Sequence, residues 1–317
     1  MRPLVLCVAL GGCGFQSAIA HDSGVPPVID GAGSDAAPDG SIDCFAQWRA
    51  GTLTLSTPQK LASLTGAGDD RDPWISTDQL TLYFTSNRNG ISEIFRASRT
   101  SPTLAFGPPV RLVNLTVSQK DQERAALTGD EKTLVLSSNR PANGKFQIFV
   151  SLRPDTTTEF GSPNQDHLAT VNAANADSSD PFLSADGRTL YFTQNAGGPA
   201  HPRIMVATRF DTNTDFATPF ELGGINLNGT NTADPALALD ERVIVFSSDR
   251  DGGRGSLDLW YATRADVFHE FSPPAPIPMI NTGEDDADPM LSADGCELYF
   301  ASTFEDDYNL YVSEIAR

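Results

Sequence analysis

The sequence predicts an all-β fold, a five-bladed β-propeller whose N-terminal strand closes the last blade, and three observations carry that expectation. First, a segment of the type Asp-Pro-x-Leu-Ser-x-Asp-Gly, followed by an apolar run, recurs five times, with its turn aspartate at Asp78, Asp130, Asp186, Asp240 and Asp294. The intervals of 52, 56, 54 and 54 residues have the length of propeller or solenoid repeats. Second, each unit holds four short strand-like segments, and no segment after residue 45 has a helical period. Third, the strand count closes a ring: the fifth unit runs out after its third strand, and a copy of the missing outer strand stands before the first unit.

Within a unit, the first strand opens on Asp-Pro, as in Asp72-Pro73-Trp74-Ile75, Asp180-Pro181-Phe182-Leu183 and Asp234-Pro235-Ala236-Leu237. Proline suits the start of a strand because it donates no ladder hydrogen bond, and it pushes the preceding residue toward extended geometry. The aspartate is therefore expected at the strand mouth. After a polar turn comes the second strand, an aromatic or β-branched run such as Leu82-Tyr83-Phe84, Ile244-Val245-Phe246 or Leu298-Tyr299-Phe300. The third strand carries Ile94-Phe95, Ile148-Phe149, Ile204-Met205-Val206, Leu259-Trp260-Tyr261 and Leu310-Tyr311-Val312. The fourth is a weak edge strand marked by proline, in Phe106-Pro109-Leu112, Phe216-Pro219-Leu222 and Phe271-Pro274-Ile277, with Phe160-Pro163-Leu168 a stretched copy. Leu55-Pro58-Leu61 repeats that pattern at the front, so residues 53 to 63 are expected to pair with the strand of Leu310 to Val312 and leave no open sheet edge. A solenoid would need polar capping repeats, and none is visible.

The chain organisation follows: a signal peptide over 1–20, an acidic linker over 21–44 and the propeller over 45–317. Arg2 precedes the apolar core Leu4 to Leu10, which is too short to span a bilayer and has the form of a secretory signal. Leu10-Gly11-Gly12-Cys13 resembles a bacterial lipobox, with lipidation at Cys13; Ala18-Ile19-Ala20 offers an ordinary cleavage site, and the lipobox is the favoured reading. The linker spreads Asp22, Asp30, Asp35, Asp39 and Asp43 among Gly, Ala, Ser and Pro, a composition expected to stay disordered. About thirty such residues reach roughly 30 Å. The expected location is the periplasm or cell surface of a bacterium, on a lipid anchor.

A net charge of −19 argues against nucleic acid, which needs a basic footprint. It also argues against the propeller lying on anionic lipid. Of four cysteines, Cys7 and Cys13 belong to the signal segment, so Cys44 and Cys296 are left, with spacing that suits no metal site. Cys296 follows a turn of unit five, beside which the closing strand should begin, and a Cys44–Cys296 disulfide is expected there.

The loop Phe246-Ser247-Ser248-Asp249-Arg250-Asp251-Gly252-Gly253, together with the Asp-Pro opening and Leu-Ser-x-Asp-Gly-x-x-Leu-Tyr-Phe, resembles the TolB-like, WD-like β-propeller repeat of bacterial periplasmic and envelope proteins. The likeness covers residues 70 to 317. It departs in unit two, where Arg124-Ala125 replaces Asp-Pro, and in unit five, where Ser302-Thr303-Phe304 lacks the arginine. The resemblance implies a binding platform and brings no catalytic residues with it.

The candidate site is the ring of Asp72, Arg124, Asp180, Asp234 and Asp288 at the pore mouth. Strand order puts Arg88, Arg140 and Arg250 on the same face, where they are expected to hold these carboxylates. Asp180 and Asp288 then stand out as the less compensated pair, because their own units lack the arginine. No metal site is expected and no cofactor is implied; calcium is the one ion that Asp69-Asp70-Asp72 or Asp285-Asp286-Asp288 could take. The histidines (His21, His167, His201, His269) do not repeat, and only His201 is expected near the pore face. Hydrolase and phosphate-loop motifs are absent. The leading expectation is a monomeric, non-catalytic, envelope-tethered binding module for a protein, peptide or glycan. Its rival is a glycoside-active propeller that uses pore carboxylates. The choice turns on uniqueness: catalysis needs carboxylates in different environments, and the ring acids read as equivalent copies.

Overall fold

The computed structural model describes residues 43–172, 176–195 and 201–316. The signal segment, Cys13, His21 and the linker up to residue 42 lie outside the described residues. One short helix, α1 (Cys44–Ala50), precedes the sheets. It corrects the expectation of no helix after residue 45, and its two turns are too short for a period to show. Asp43 caps it by accepting from the Ala46 N–H at 3.0 Å, and Gly51, at φ 68°, ends it in the left-handed conformation that glycine adopts freely.

The strands then fall into five blades. Blade I holds β2 (Asp70–Ile75), β3 (Thr81–Ser86), β4 (Glu93–Ser98) and β5 (Val110–Arg111). Blade II holds β6 (Gln122–Leu127), β7 (Thr133–Ser138) and β8 (Gln147–Leu152), with the stretched outer segment reduced to one bridge, Val150 to Asn164. Blade III holds β9 (Asp177–Leu183), β10 (Thr189–Asn195), β11 (Arg203–Thr208) and β12 (Phe220–Glu221). Blade IV holds β13 (Thr232–Leu237), β14 (Val243–Ser248), β15 (Asp258–Thr263) and β16 (Ala275–Pro276). Blade V holds β17 (Asp286–Leu291), β18 (Glu297–Ser302) and β19 (Asn309–Glu314), and its outer strand is β1 (Gln59–Lys60) from the other end of the propeller. Gln59 faces Val312 and Lys60 faces Tyr311, which closes the ring as the repeat count predicts.

The first strands β2, β6, β9, β13 and β17 touch one another in cyclic order around the axis. Between blades the second strands bury Phe84, Phe192, Phe246 and Phe300, the source of the apolar run in each repeat. The seam is fastened twice more. Cys44 and Cys296 are joined by a disulfide with Cα atoms 5.1 Å apart, and Trp48, fully buried, donates from Nε1 to the Gly295 carbonyl at 2.8 Å while its ring meets Tyr261 edge-on.

Candidate active site at the pore mouth

Every first strand breaks register where the Asp-Pro motif, or Arg124-Ala125 in its place, sits, and that break builds the site. The ladder slips between Arg71 and Trp74, and likewise between Glu123 and Ala126, Ala233 and Ala236, and Ala287 and Met290; β9 slips across the equivalent residues. The residue at the slip is left-handed: φ is 54° at Asp72, 51° at Arg124, 48° at Asp180, 55° at Asp234 and 54° at Asp288. Aspartate tolerates this region better than most residues, and a bulge re-aims its side chain. The aspartates therefore stand within the strand, not at its mouth, and turn toward the axis. At three of the bulges the neighbouring blade satisfies the N–H that the slip exposes. Arg124 donates to Thr85 Oγ1 at 3.0 Å, Asp234 to Thr193 Oγ1 at 3.1 Å and Asp288 to Ser247 Oγ at 3.3 Å.

Arg124 occupies the centre, 3% exposed. Its Nη1 lies 3.8 Å from Asp72 and 3.7 Å from Asp288, and its Nη2 donates to the carbonyls of Pro235 and Pro289. The residue that breaks the repeat is thus the counter-ion of the ring. Beneath it the axis is plugged by apolar side chains, among them Trp74, Leu127, Phe182, Leu237 and Met290. Above it opens a polar cavity of about 180 Å³, lined by Asp69, Arg71, Asp72, Thr85, Glu123 and Asp180 with Asn87 and Ser92 at its side.

The arginines expected to hold the ring do something else. Arg88 pairs with Asp70 at 2.6 Å, Arg140 donates to the Leu115 carbonyl and Arg250 to the Ile225 carbonyl, all away from the axis. Asp288 is correspondingly the most compensated ring acid, since Arg71 reaches it from blade I at 3.0 Å and Arg124 adds a second positive charge. Asp72 and Asp288 are served by cations of other blades, so counting arginines within the unit pointed the wrong way for Asp288. His201 bonds to Asn231 at 3.0 Å and does not line the cavity. Trp74 and Trp260 are buried on strands. Among the described residues no group of His, Cys, Asp and Glu is arranged to hold a metal ion.

These surroundings make the carboxylates unequal. Burial would raise Asp288, but Arg71 and Arg124 outweigh it and hold its carboxyl below the usual range. Asp72 is pushed well up, first by burial and then by the charge of Asp288. Asp234 is raised by burial and by Asp288 and Asp180. Sequence reasoning missed Arg71 and Glu123. Glu123, half-buried above the ring, is pushed up to about 7 by burial and by the charge of Asp180. The signal was present one position before the ring, where the chain reads Arg71, Glu123, Ser179, Ala233 and Ala287: a column that changes while its neighbour repeats. Chemically, the cavity holds an acid able to give up a proton near neutrality beside a second carboxylate, Asp180, which accepts from Ser179 Oγ at 2.9 Å.

No protein-family model and no curated protein matches the chain. Solved structures do. An endo-arabinase from Bacteroides thetaiotaomicron superposes with a TM-score of 0.57 at 17% identity, covering 83% of this chain and 98% of its own. An α-L-arabinofuranosidase from Podospora anserina gives 0.55 at 9% identity, covering 80% and 92%. TolB from Acinetobacter baumannii also appears, at 0.49, 13% identity and 87% and 68% coverage, too slight a likeness to argue from. At such identities the likeness is one of fold. It nevertheless corrects the expectation of a non-catalytic binding module, because five propellers that superpose with TM-scores of 0.52 to 0.57 carry the names of arabinofuranosidases, an endo-arabinase or a glycoside hydrolase. The physical premise of that expectation also falls, since the ring acids are not equivalent copies.

Proposed function

We propose that the protein is a glycoside-cleaving propeller enzyme whose reaction takes place in the cavity above Arg124. The observation that carries this reading is the placement of Glu123 and Asp180 on one small, polar cavity closed below by the ring and its apolar plug. Glycoside cleavage needs a protonated acid to meet the leaving oxygen and a second carboxylate to act at the anomeric carbon, directly or through water. Glu123 is assigned the first role, since its raised pKa keeps a proton available near neutrality. Asp180 is assigned the second. Arg71, whose charge tempers the rise of Glu123, and Asp72 line the same cavity. The similar structures carry arabinofuranosidase and endo-arabinase names, which makes arabinofuranosides the substrate class to try first.

Incubation with p-nitrophenyl α-L-arabinofuranoside and with arabino-oligosaccharides tests the reading. Turnover by the native chain that is lost in Glu123→Gln and in Asp180→Asn, with both variants folded, supports it. Activity unaffected by either change would sink the assignment. Export and lipid attachment at Cys13 are part of the proposal and rest on the sequence alone; Cys13→Ser should then release the protein from the membrane fraction.

A further inference from the structure

In three blades the loop after the second strand sends an arginine into a socket built from the same blade. Arg88 donates from Nε to Ser86 Oγ at 2.7 Å and from Nη2 to the Leu64 carbonyl at 2.7 Å and to Asp70 Oδ1 at 2.6 Å. Its guanidinium carbon lies 4.8 Å from the Phe95 ring centre and 5.4 Å from that of Phe84. Arg250 repeats the arrangement with Ser248, the Ile225 carbonyl, Thr232, Phe246 and Trp260, and Arg140 does so with Ser138, the Leu115 carbonyl and Phe149.

Blade V keeps the socket and lacks the arginine. Asp286 faces Ser302 in the ladder as Asp70 faces Ser86, and Phe300 faces Tyr311 as Phe84 faces Phe95. The two ring pairs are stacked alike, at 5.7 Å and 5.8 Å. By repeat register Ile280 corresponds to Leu64, and Phe304, exposed to solvent, stands in the arginine's place. The Asp286 carboxylate shows what is missing. Its Oδ2 accepts from the Thr282 N–H at 2.6 Å, as Asp70 Oδ2 accepts from the Gly66 N–H at 2.7 Å. Its Oδ1, the oxygen that Arg88 meets in blade I, is buried without a hydrogen-bond partner, and so is the Tyr311 hydroxyl. Both residues line a cavity of about 490 Å³ together with Ile280, Phe300 and Ser302.

A buried carboxylate oxygen left unsatisfied is costly, and Asp258 nearby adds negative charge. The bordering cations are engaged elsewhere, Lys60 with Glu305 at 2.8 Å and Arg254 with the Asn281 carbonyl at 3.4 Å. The lining matches a guanidinium, whose planar fork meets carboxylate, carbonyl and hydroxyl acceptors in its plane and aromatic rings on its faces. We propose that this socket binds a guanidinium group supplied from outside the chain, the side chain of an arginine. The site is separate from the pore and does not depend on the chemistry proposed there.

Calorimetric titration of the propeller with N-acetyl-arginine methylamide tests the inference, with free arginine and the corresponding lysine amide as parallel arms. Saturable binding of the arginine derivative, much weaker with lysine and lost in Asp286→Asn, is the expected result. Phe304→Arg should fill the socket from within, abolish binding and raise the melting temperature. Tighter binding of the blocked derivative would assign the socket to peptide-borne arginine and tighter binding of free arginine to the amino acid, and either supports it. No saturable binding of any guanidinium probe to the folded protein, or binding that survives Phe304→Arg, would overturn it.

Discussion

Two neighbouring positions on the innermost strands follow opposite rules. At the bulge the chain repeats itself as Asp72, Arg124, Asp180, Asp234 and Asp288, each left-handed. One residue earlier it reads Arg71, Glu123, Ser179, Ala233 and Ala287. The repeated position builds the ring, because each bulge must present an N–H and a side chain in the same way to close five blades on one axis. The variable position has no such duty. It is where the chain places one acid, one base of permanent charge and three small residues, and so breaks the fivefold equivalence that would make every carboxylate alike. Repetition marks architecture, and departure from it at an adjacent position marks chemistry.

The sharpest break of this contrast is Glu123→Gln. Under the role proposed for Glu123, loss of the general acid should cost about 10²- to 10⁴-fold in rate, while the fold should be untouched. On the proposed reading, activity of the native protein should fall as pH rises through about 7, where Glu123 gives up its proton. The stability sign follows from the same shift. A raised folded pKa stabilises fully below the unfolded value of 4.5, and the contribution is lost as pH rises through about 7. Glu123→Gln should therefore be more stable than the native protein above that pH, on the order of 2 kcal/mol. Urea melts at pH 5 and pH 8 check it.

Arg124→Met should do the reverse, removing stability throughout the propeller. Taking one partner from a buried charge group costs about 3 to 5 kcal/mol, since Asp72 and Asp288 would face each other without it. The loss should shrink when Asp72→Asn is added, because the repulsion it exposes is then relieved. An additive result in the double variant would show that Arg124 acts only by packing.

The seam offers a control remote from both positions. The Cys44–Cys296 bond spans 252 residues of sequence, and the chain-entropy account sets its contribution at up to about 5 kcal/mol. The paired Cys44→Ser and Cys296→Ser variant should lower the melting temperature without moving the pH profile of activity. A shifted profile would mean that the seam reaches the pore.

How much of this was legible in the sequence differs between the two positions for the same reason. The blade count, the closing strand and the ring could be read because repeats announce themselves five times. Arg71 and Glu123 occur once each, and a residue that occurs once gives a periodic reading nothing to align. The partners of Asp288 were hidden further still, since Arg71 precedes it by most of the chain and meets it only when the ring closes. The arginine sockets went astray by one step of the strand: Arg88 serves Asp70, and the bulge turns Asp72 the other way. Helix α1 could not be seen because two turns show no period, although its caps, Asp43 and Gly51, stand in the sequence.

The smallest effect expected separates two bulges that look alike. The Arg124 N–H has two acceptors, Thr85 Oγ1 at 3.0 Å and Asp72 Oδ2 at 3.2 Å. Among the described residues the Asp234 N–H has one, Thr193 Oγ1 at 3.1 Å. Replacing either threonine by valine keeps the side-chain shape and removes the hydroxyl. Thr193→Val then leaves a buried N–H without a partner, at a cost of about 1 to 3 kcal/mol. Thr85→Val leaves Asp72 to take over, and the cost should fall to about 1 kcal/mol or less. Hydrogen exchange adds a local readout, since the Asp234 amide should lose protection in Thr193→Val while the Arg124 amide keeps it in Thr85→Val. Equal losses at both sites would mean that the Asp72 carboxylate does not support the Arg124 bulge, and that the ring is held by hydroxyls from the second strands alone.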